Sequence, residues 1–302
     1  FTDWKTHAKV AMVVRREGDT FRTYCHLGTG NYHPVTARVY TDLSFFTADP
    51  KLGRDAAKMF NFVTGYVEPH ALERIHIAPI DLRQEIYSRI DAEIAKEIEW
   101  IKLTSAFDGK YCRVLSGQRR PDLTTEQGLD RVAGAIEACL KAADDYDITL
   151  ILENHYKDNY WTYPEWAQSS ERIAALIARI DHPRFMINYD PSNAFLAGED
   201  PLDVLEVVKH RVITMHASDR TLLYGTIEDL RNEENDAIGY ASRLSHGEIG
   251  KGLNDYDAIF TTLKAAGRTP DWVSIEDGMN GIDELKRSVD FVRRKVQQHF
   301  PA

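Results

Sequence analysis

The chain has few cysteines, no long apolar run and no surplus of positive charge. Its three cysteines, Cys25, Cys112 and Cys139, are an odd number and show no C-x-x-C spacing. That excludes a disulfide scaffold and a thiolate zinc site, and reads as reduced core thiols in a cytoplasmic protein. No apolar stretch approaches the roughly 20 residues that cross a bilayer, so no membrane span and no membrane partner are expected. No leader-like pattern precedes the first elements, and the opening at Phe1 is the one expected of a truncated start. A Pro/Gly-rich linker is also lacking near residue 95. Residues 1–95 hold 12 basic and 12 acidic side chains, so the whole formal charge of −10 falls after residue 95. An acidic C-terminal part argues against a nucleic-acid partner. The local cluster Arg15, Arg16 and Arg22 fits a solvated strand edge at least as well as an anion site.

What is present is ordinary for a globular chain. Of 302 residues, 43% are hydrophobic and 28% charged, enough for one large barrel or two domains. Residues 8–14 and 21–27 read as strands around a turn at Glu17-Gly18-Asp19, followed by a Gly-rich turn at 28–31 and a third extended run near 37–40. Helices are expected over 55–63 and 82–100, the second on the stripe Leu82, Ile86, Ile90, Ile94 and Ile98. After residue 100 the rhythm becomes strand, loop, helix. Strands are expected at 111–115, 148–152, 185–189, 212–215 and 272–275. Helices are expected after Thr124 or Thr125, from about Pro164, over 202–208 and 256–266, and over the last segment.

Glu153, Asp190, His216 and Glu276 each follow the downstream end of one of those apolar runs. Polar groups where parallel strands end are how a (β/α)-barrel builds its site. Three carboxylates and one imidazole, with no thiolate, suit Mg²⁺, Mn²⁺ or Co²⁺. Each residue alone is more often a cap or a structural group, but the set in register with four successive strand ends favours a site. Two glutamates there could remove a proton and return it, through an enediolate held by the metal.

The motifs Leu152-Glu153-Asn154-His155, Asn188-Tyr189-Asp190-Pro191-Ser192-Asn193, Met215-His216-Ala217-Ser218-Asp219-Arg220, His246-Gly247-Glu248-Ile249-Gly250-Lys251-Gly252 and Ser274-Ile275-Glu276-Asp277-Gly278 resemble the xylose-isomerase-like barrel family of sugar (phosphate) isomerases and epimerases. The resemblance covers residues 96–302. It implies that Glu153, Asp190, His216 and Glu276 are metal ligands, that Glu153 and Glu276 are the acid/base pair, and that His155 and Arg220 meet substrate oxygens. Asn193 stands where family members often carry a histidine, which leaves the substrate class open. On this pattern the strand at Tyr111 is the third of eight, so the fold class expected is α/β, an incomplete (β/α)8 TIM barrel.

Residues 1–95 resemble something else. Lys5-Thr6-His7-Ala8-Lys9, Tyr24-Cys25-His26-Leu27-Gly28-Thr29-Gly30-Asn31 and Ala37-Arg38-Val39-Tyr40-Thr41-Asp42 are similar to part of the polyphosphate kinase catalytic domain, of phospholipase-D-like fold. The resemblance implies His7 as the phosphorylated nucleophile, Asp42 as the group orienting it and His26 close by. Lys9, two residues from His7, would share its strand face and neutralise phosphate, and the turn ending in Asn31 would offer N–H groups and an amide. The cofactor of that reading is ATP or polyphosphate with Mg²⁺.

Three readings therefore stand. The first is a divalent-metal-dependent isomerase or epimerase of a small carbohydrate or hydroxy-carbonyl compound. The second is a phosphotransferase acting through a phosphohistidine. The third is a fused, chimeric chain with no competent site. A homo-oligomer is compatible with all three.

Overall fold

Gly18, at φ +62°, turns the chain between β1 (Val10–Glu17) and β2 (Thr20–Gly28), a left-handed corner that glycine adopts without strain. The strands pair antiparallel from Val10↔Leu27 to Glu17↔Thr20, and β3 (Ser44–Thr47) adds to the other side of β2. The computed structural model describes residues 6–35, 38, 42–65, 67–157, 161–232, 242–276 and 281–301. Of the extended run expected near 37–40, only Arg38 lies within the described residues; the third strand of this sheet is β3. The chain divides into two compact units, Phe1–Ala92 and Glu93–Ala302.

In the first unit, α1 (Pro50–Gly65) begins five residues earlier than its apolar pattern suggests. Asp49 accepts from the N–H groups of Lys51 and Leu52 at 2.7 and 3.2 Å, and Pro50 takes the first helical position, which needs no donor. Gly53 lets α1 approach β2, since a Cβ there would sit 3.0 Å from that of Thr23. Asp55, fully buried, accepts from the N–H groups of Glu73, Arg74 and Ile75 and so pins the segment that follows. Phe21, Leu43 and Phe46 remain 74–76% exposed, so this unit carries apolar surface that it does not itself cover.

The helix α2 (Leu82–Ala106) carries residues of both units. Its stripe behaves differently along its length. Leu82, Ile86 and Ile90 are exposed, whereas Ile94 and Ile98 pack on the core of the second unit and Ile101 is fully buried.

That second unit is built on five parallel strands. They are β4 (Tyr111–Val114), β5 (Thr149–Glu153), β6 (Phe185–Tyr189), β7 (Val212–Ala217) and β10 (Trp272–Ile275), in the order β10-β7-β6-β5-β4. The intervening helices are α3 (Thr125–Asp145), α4 (Ser170–Arg179), α5 (Pro191–Leu196), α6 (Pro201–Val208), α7 (Tyr256–Ala265) and α8 (Ile282–His299). Thr124 caps α3 in a reciprocal box with Gln127. The helix expected from Pro164 resolves into a 3-10 turn, Trp166–Gln168, and then α4.

Period-two alternation assigns the two faces of the sheet. Leu150, Leu152, Ile187, Tyr189, Met215 and Ala217 point into one core with Leu129, Ile173, Leu176, Val204, Phe260 and Leu263. Burying each large side chain contributes roughly 1.5–3 kcal/mol. The opposite face carries Arg113, Glu153, Asn188, Thr214, His216 and Ser274, as the registers Glu153↔Asn188, Asn188↔Thr214 and Ser274↔His216 require. The sheet curls: the Tyr111 hydroxyl on edge strand β4 donates to Asp271, which stands just before the opposite edge strand β10.

Reading Tyr111 as the third of eight strands implies six strands from there onward; among the described residues the sheet holds five. The remaining apolar segment, β9 (Leu244–His246), pairs antiparallel with β8 (Arg220–Leu222) in a separate ribbon. The fold is thus an open, curled half-barrel. No helix among the described residues is long and apolar enough to cross a membrane.

Candidate metal centre

Glu153 is the last residue of β5, Asp190 follows β6, His216 lies in the last turn of β7, and Glu276 follows β10. Parallel pairing brings these four ends together, and one ligand atom from each lies within 4.8 Å of all the others. Each side chain is aimed by its neighbours. Glu153, fully buried, accepts from Arg113 at 2.5 Å through Oε2 and from Asn193 Nδ2 at 3.0 Å through Oε1. Asp190 uses Oδ1 to cap α5 through the Ser192 N–H at 2.8 Å and to accept from the Ser218 hydroxyl at 2.7 Å. Its Oδ2 is left facing His216. The Asn154 side chain clamps the Asp190 backbone, donating to its carbonyl at 2.7 Å and accepting from its N–H at 2.9 Å. Glu276 is half exposed, and its N–H is tied to Ala217 O at 2.9 Å.

The imidazole of His216 is the centre of the cluster. Its Nδ1 lies 3.5 Å from Glu153 Oε1 and 3.9 Å from Asp190 Oδ2, and it contacts Glu276. Yet this buried nitrogen has no partner in hydrogen-bond geometry. An orphaned ring nitrogen facing three carboxylates fits a bound cation. For Nδ1 to ligate, Nε2 must carry the hydrogen. Nε2 lies 3.1 Å from the amide of Asn188, which also meets the Thr214 hydroxyl at 2.7 Å. Turning that amide over would present its oxygen to Nε2–H while Thr214 accepts from its nitrogen.

The charges resist one another without a cation. Burial alone would raise Glu153, but the facing imidazole of His216 and the charges of Arg113 and His155 hold it down at about 2. Burial and the Glu153 charge push Asp190 up to about 6. Burial would lower His216, but the facing carboxylates of Glu153 and Glu276 raise it to about 10.

The other expected site residues divide into two groups. His155 sits beside the centre and is held by Glu165, whose Oε1 lies 2.6 Å from His155 Nδ1. Glu165 is fully buried, and its second oxygen accepts from the N–H and hydroxyl of Ser116, both at 3.0 Å. Burial opposes protonation of His155, yet the Glu165 bond raises it. Arg220, buried in β8, lies 2.8 Å from His246 Nδ1 across the ribbon. Burial and the Arg220 charge lower His246 to about 4, with the Glu276 charge opposing them.

In the first unit, His7 and Lys9 precede β1, and Lys9 Nζ is 2.7 Å from Nε2 of the exposed His7. Asp42 does not reach His7 among the described residues; it accepts from the Thr29 hydroxyl at 3.2 Å. His26 meets the Tyr32 hydroxyl at 2.6 Å and stacks on Phe46 at 4.4 Å. The turn ending in Asn31 has fewer free donors than expected. The N–H groups of Gly28 and Thr29 are already bonded to Lys9 O and Leu43 O, and Asn31 O accepts from His33 N–H.

Four contributors escaped the sequence reading. Arg113 and Glu165 lie outside any motif. Asn154 and Asp219 lie inside motifs but received no role. Asp219, fully buried, accepts from the N–H groups of Gly250, Gly252 and Asn254 at 2.8, 3.0 and 3.1 Å. The glycine-rich run is therefore a loop folded around one carboxylate, and a Cβ at Gly252 would meet Asp219 at 2.3 Å.

An open parallel sheet with helices on one face and a cluster of hard ligands at its strand ends defines a (β/α)-barrel class of protein. Residues 63–295 match the xylose isomerase-like TIM barrel family, and the chain belongs to that family. Among solved structures, it is similar to a D-tagatose 3-epimerase-like protein, 17% identical, covering 83% of this chain and 84% of that one with a TM-score of 0.54. A xylose isomerase-like TIM barrel protein from Mycobacterium smegmatis in complex with magnesium is 16% identical, covering 69% and 68% of the two chains at a TM-score of 0.50. At such identities the likeness is one of fold. Residues 1–69 match polyphosphate kinase C-terminal domain 1. A polyphosphate kinase of Erythrobacter litoralis (strain HTCC2594) is 74% identical over 94 residues, which are 31% of this chain and 13% of that enzyme. The chain thus spans about 13% of the length of this curated relative.

Proposed function

We propose that the second unit is a divalent-metal-dependent isomerase or epimerase of a small carbohydrate or related hydroxy-carbonyl compound. The observation that carries this reading is the convergence of Glu153, Asp190, His216 and Glu276 within 4.8 Å around an unpartnered His216 Nδ1. Those four residues would hold the ion, and the donor set suits Mn²⁺, Mg²⁺ or Co²⁺. When bound, the cation supplies positive charge that stabilises the oxyanion developing on the substrate. One glutamate carboxylate takes the proton from the carbon beside the carbonyl and leaves an enediolate. The other, as the acid, delivers a proton to the opposite face of that carbon, giving the epimer, or to the adjacent carbon, giving the isomer. His155, locked by Glu165, and Arg220 would bind substrate hydroxyls. The family membership and the epimerase-like and magnesium-bound fold neighbours support the reading. Its test is solvent deuterium exchange into candidate ketoses and aldoses, with metal and after chelation. Metal-dependent incorporation at one carbon is expected; exchange that is equal after chelation sinks it.

A second reading concerns the first unit alone: phosphotransfer from ATP or polyphosphate through a phosphohistidine at His7. The 2.7 Å approach of Lys9 to His7 and the strong identity to a polyphosphate kinase favour it. Labelled ATP should then leave an acid-labile phosphate that the His7→Ala variant does not acquire. Equal labelling of both proteins rejects it.

A further inference from the structure

A cavity of about 330 Å³ lies apart from the four-ligand cluster and is used by neither reading. Its lining includes Arg119, Tyr156, Ser169, Arg172, Glu171 and Glu199. Two guanidinium groups share it. Burial and the Arg172 charge hold Arg119 below its ordinary value, and no carboxylate offsets them. Arg172 donates through Nη1 to the Ser169 hydroxyl at 3.0 Å, while its Nε is buried without a hydrogen-bond partner. Other arginines of this unit do find acids: Arg113 meets Glu153, Arg179 meets Asp130, and Arg184 meets Asp144 and Asp147. In a chain of net charge −10, leaving Arg119 and Arg172 together without an ion pair among the described residues is an expensive arrangement.

The acids at the rim do not quench the pair. Glu199 accepts from the Ser170 N–H at 2.9 Å, and Glu171 is exposed. Ser169 stands at the N-terminus of the ten-residue α4 but makes no side-chain cap bond to it. The first N–H of that helix is already bonded to Glu199, so the arginines are the donors left to the cavity. Two fork-shaped donors, Arg119 and Arg172, line one polar cavity together with the Ser169 side of α4. That combination suits a tetrahedral oxyanion, which accepts from several directions at once.

We propose that this cavity is a binding site for a phosphate-class oxyanion, held between Arg119 and Arg172. The anion is either free phosphate or the phosphate group of a sugar phosphate. The walls are shared with the centre. Arg119 N–H donates to Pro164 O, and Glu165 N–H donates to Tyr156 O, each at 2.8 Å, on the two segments that hold Glu165 against His155. Occupation would stiffen the support of His155.

The test is calorimetric titration of the full chain, metal-free, with inorganic phosphate. It is run in parallel on Arg119→Gln, Arg172→Gln, the double variant, Arg172→Lys and a control, Lys141→Gln, at an exposed side chain outside the cavity. Saturable binding of one phosphate is expected. Each glutamine variant should weaken it about tenfold or more, with Arg172→Lys retaining an intermediate affinity. The control should match the parent, and phosphate should raise the melting midpoint of the parent but not of the double variant. A folded double variant that binds phosphate as tightly as the parent overturns the proposal, and so does the absence of saturable binding. Sugar phosphate against unphosphorylated sugar, on the metal-loaded protein, separates the sources. A preference that vanishes in the double variant assigns the site to substrate; no preference, with phosphate binding retained, assigns it to free phosphate. The phosphate result does not depend on isomerase activity, so failure of one reading leaves the other measurable.

Discussion

Glu276→Gln is expected to lower metal-dependent C–H exchange by roughly 10²–10⁴-fold, the range for removing a positioned acid or base. Glu276 offers the clean experiment because of where it stands. It follows the edge strand β10, is half exposed, and is tied to the sheet through its backbone N–H. Glutamine keeps the shape and one ligating oxygen, so the half-barrel should melt as before and accept metal at saturating concentration. Glu153→Gln removes the partner carboxylate but is confounded. It would leave Arg113 without its charge partner, and it would disturb the bond from Asn193 and the contact with His216. A drop in activity there would mix chemistry with packing, whereas at Glu276 it reports the proton transfer. Exchange by Glu276→Gln at the parent's rate, with metal saturating, would remove Glu276 from the mechanism.

Much of the scaffold around that residue is legible in the sequence. The runs at 185–189 and 272–275 match β6 and β10 residue for residue, because a short apolar-rich run between polar loops in a strand–helix rhythm has few alternatives to a parallel strand; β6 is buried throughout, whereas the edge strand β10 leaves Trp272 exposed. The four strand-end residues follow from the same pattern. Short elements do not announce themselves. The helix α5 spans six residues and starts directly from Asp190, so one carboxylate is both candidate ligand and cap. The ribbon strands β8 and β9 hold three residues each and lie far apart in the chain. The five strands placed from the pattern are the five of the sheet, and only the ribbon strands went unplaced. The stripe from Leu82 to Ile98 illustrates the opposite error. Its periodicity is continuous, yet only its later part finds a core. Arg113, Glu165 and the Arg119–Arg172 pair were illegible for a different reason. Their significance lies in which charges face them, and that depends on contacts between elements distant in sequence. Asn193 shows how the two sources combine. It departs from the family's histidine, yet its amide donates to Glu153 at 3.0 Å and so still touches a candidate ligand.

Asp190→Asn is expected to abolish tight divalent-metal binding while making the metal-free protein more stable at neutral pH. The two effects share one cause. The Asp190 carboxyl is raised to about 6 by burial and by the Glu153 charge, well above its ordinary value near 4. A group raised in the fold contributes stability that is fully present below its unfolded value and is lost as pH rises through the folded one. The metal-free protein should therefore lose stability between about pH 4 and 6 as Asp190 ionises, by on the order of 2 kcal/mol. His216, raised to about 10, behaves with the same sign at higher pH: its stabilising charge is complete below about 6.5 and disappears as pH climbs toward 10. Asparagine retains an oxygen for the Ser192 N–H and the Ser218 hydroxyl, so the cap of α5 survives while the charge that repels Glu153 is gone. The loss of a charged ligand should weaken metal binding at least a hundredfold, beyond what altering an outer-shell partner costs. Urea melts of the metal-free proteins at pH 4, 6 and 8, paired with metal titrations at pH 8, decide the matter. A centre built to hold a cation should give the variant a flatter stability profile between pH 4 and 6 and little affinity. A variant less stable than the parent at pH 8, or one that binds metal equally well, would show instead that Asp190 is a structural cap and that the cluster is not a metal centre.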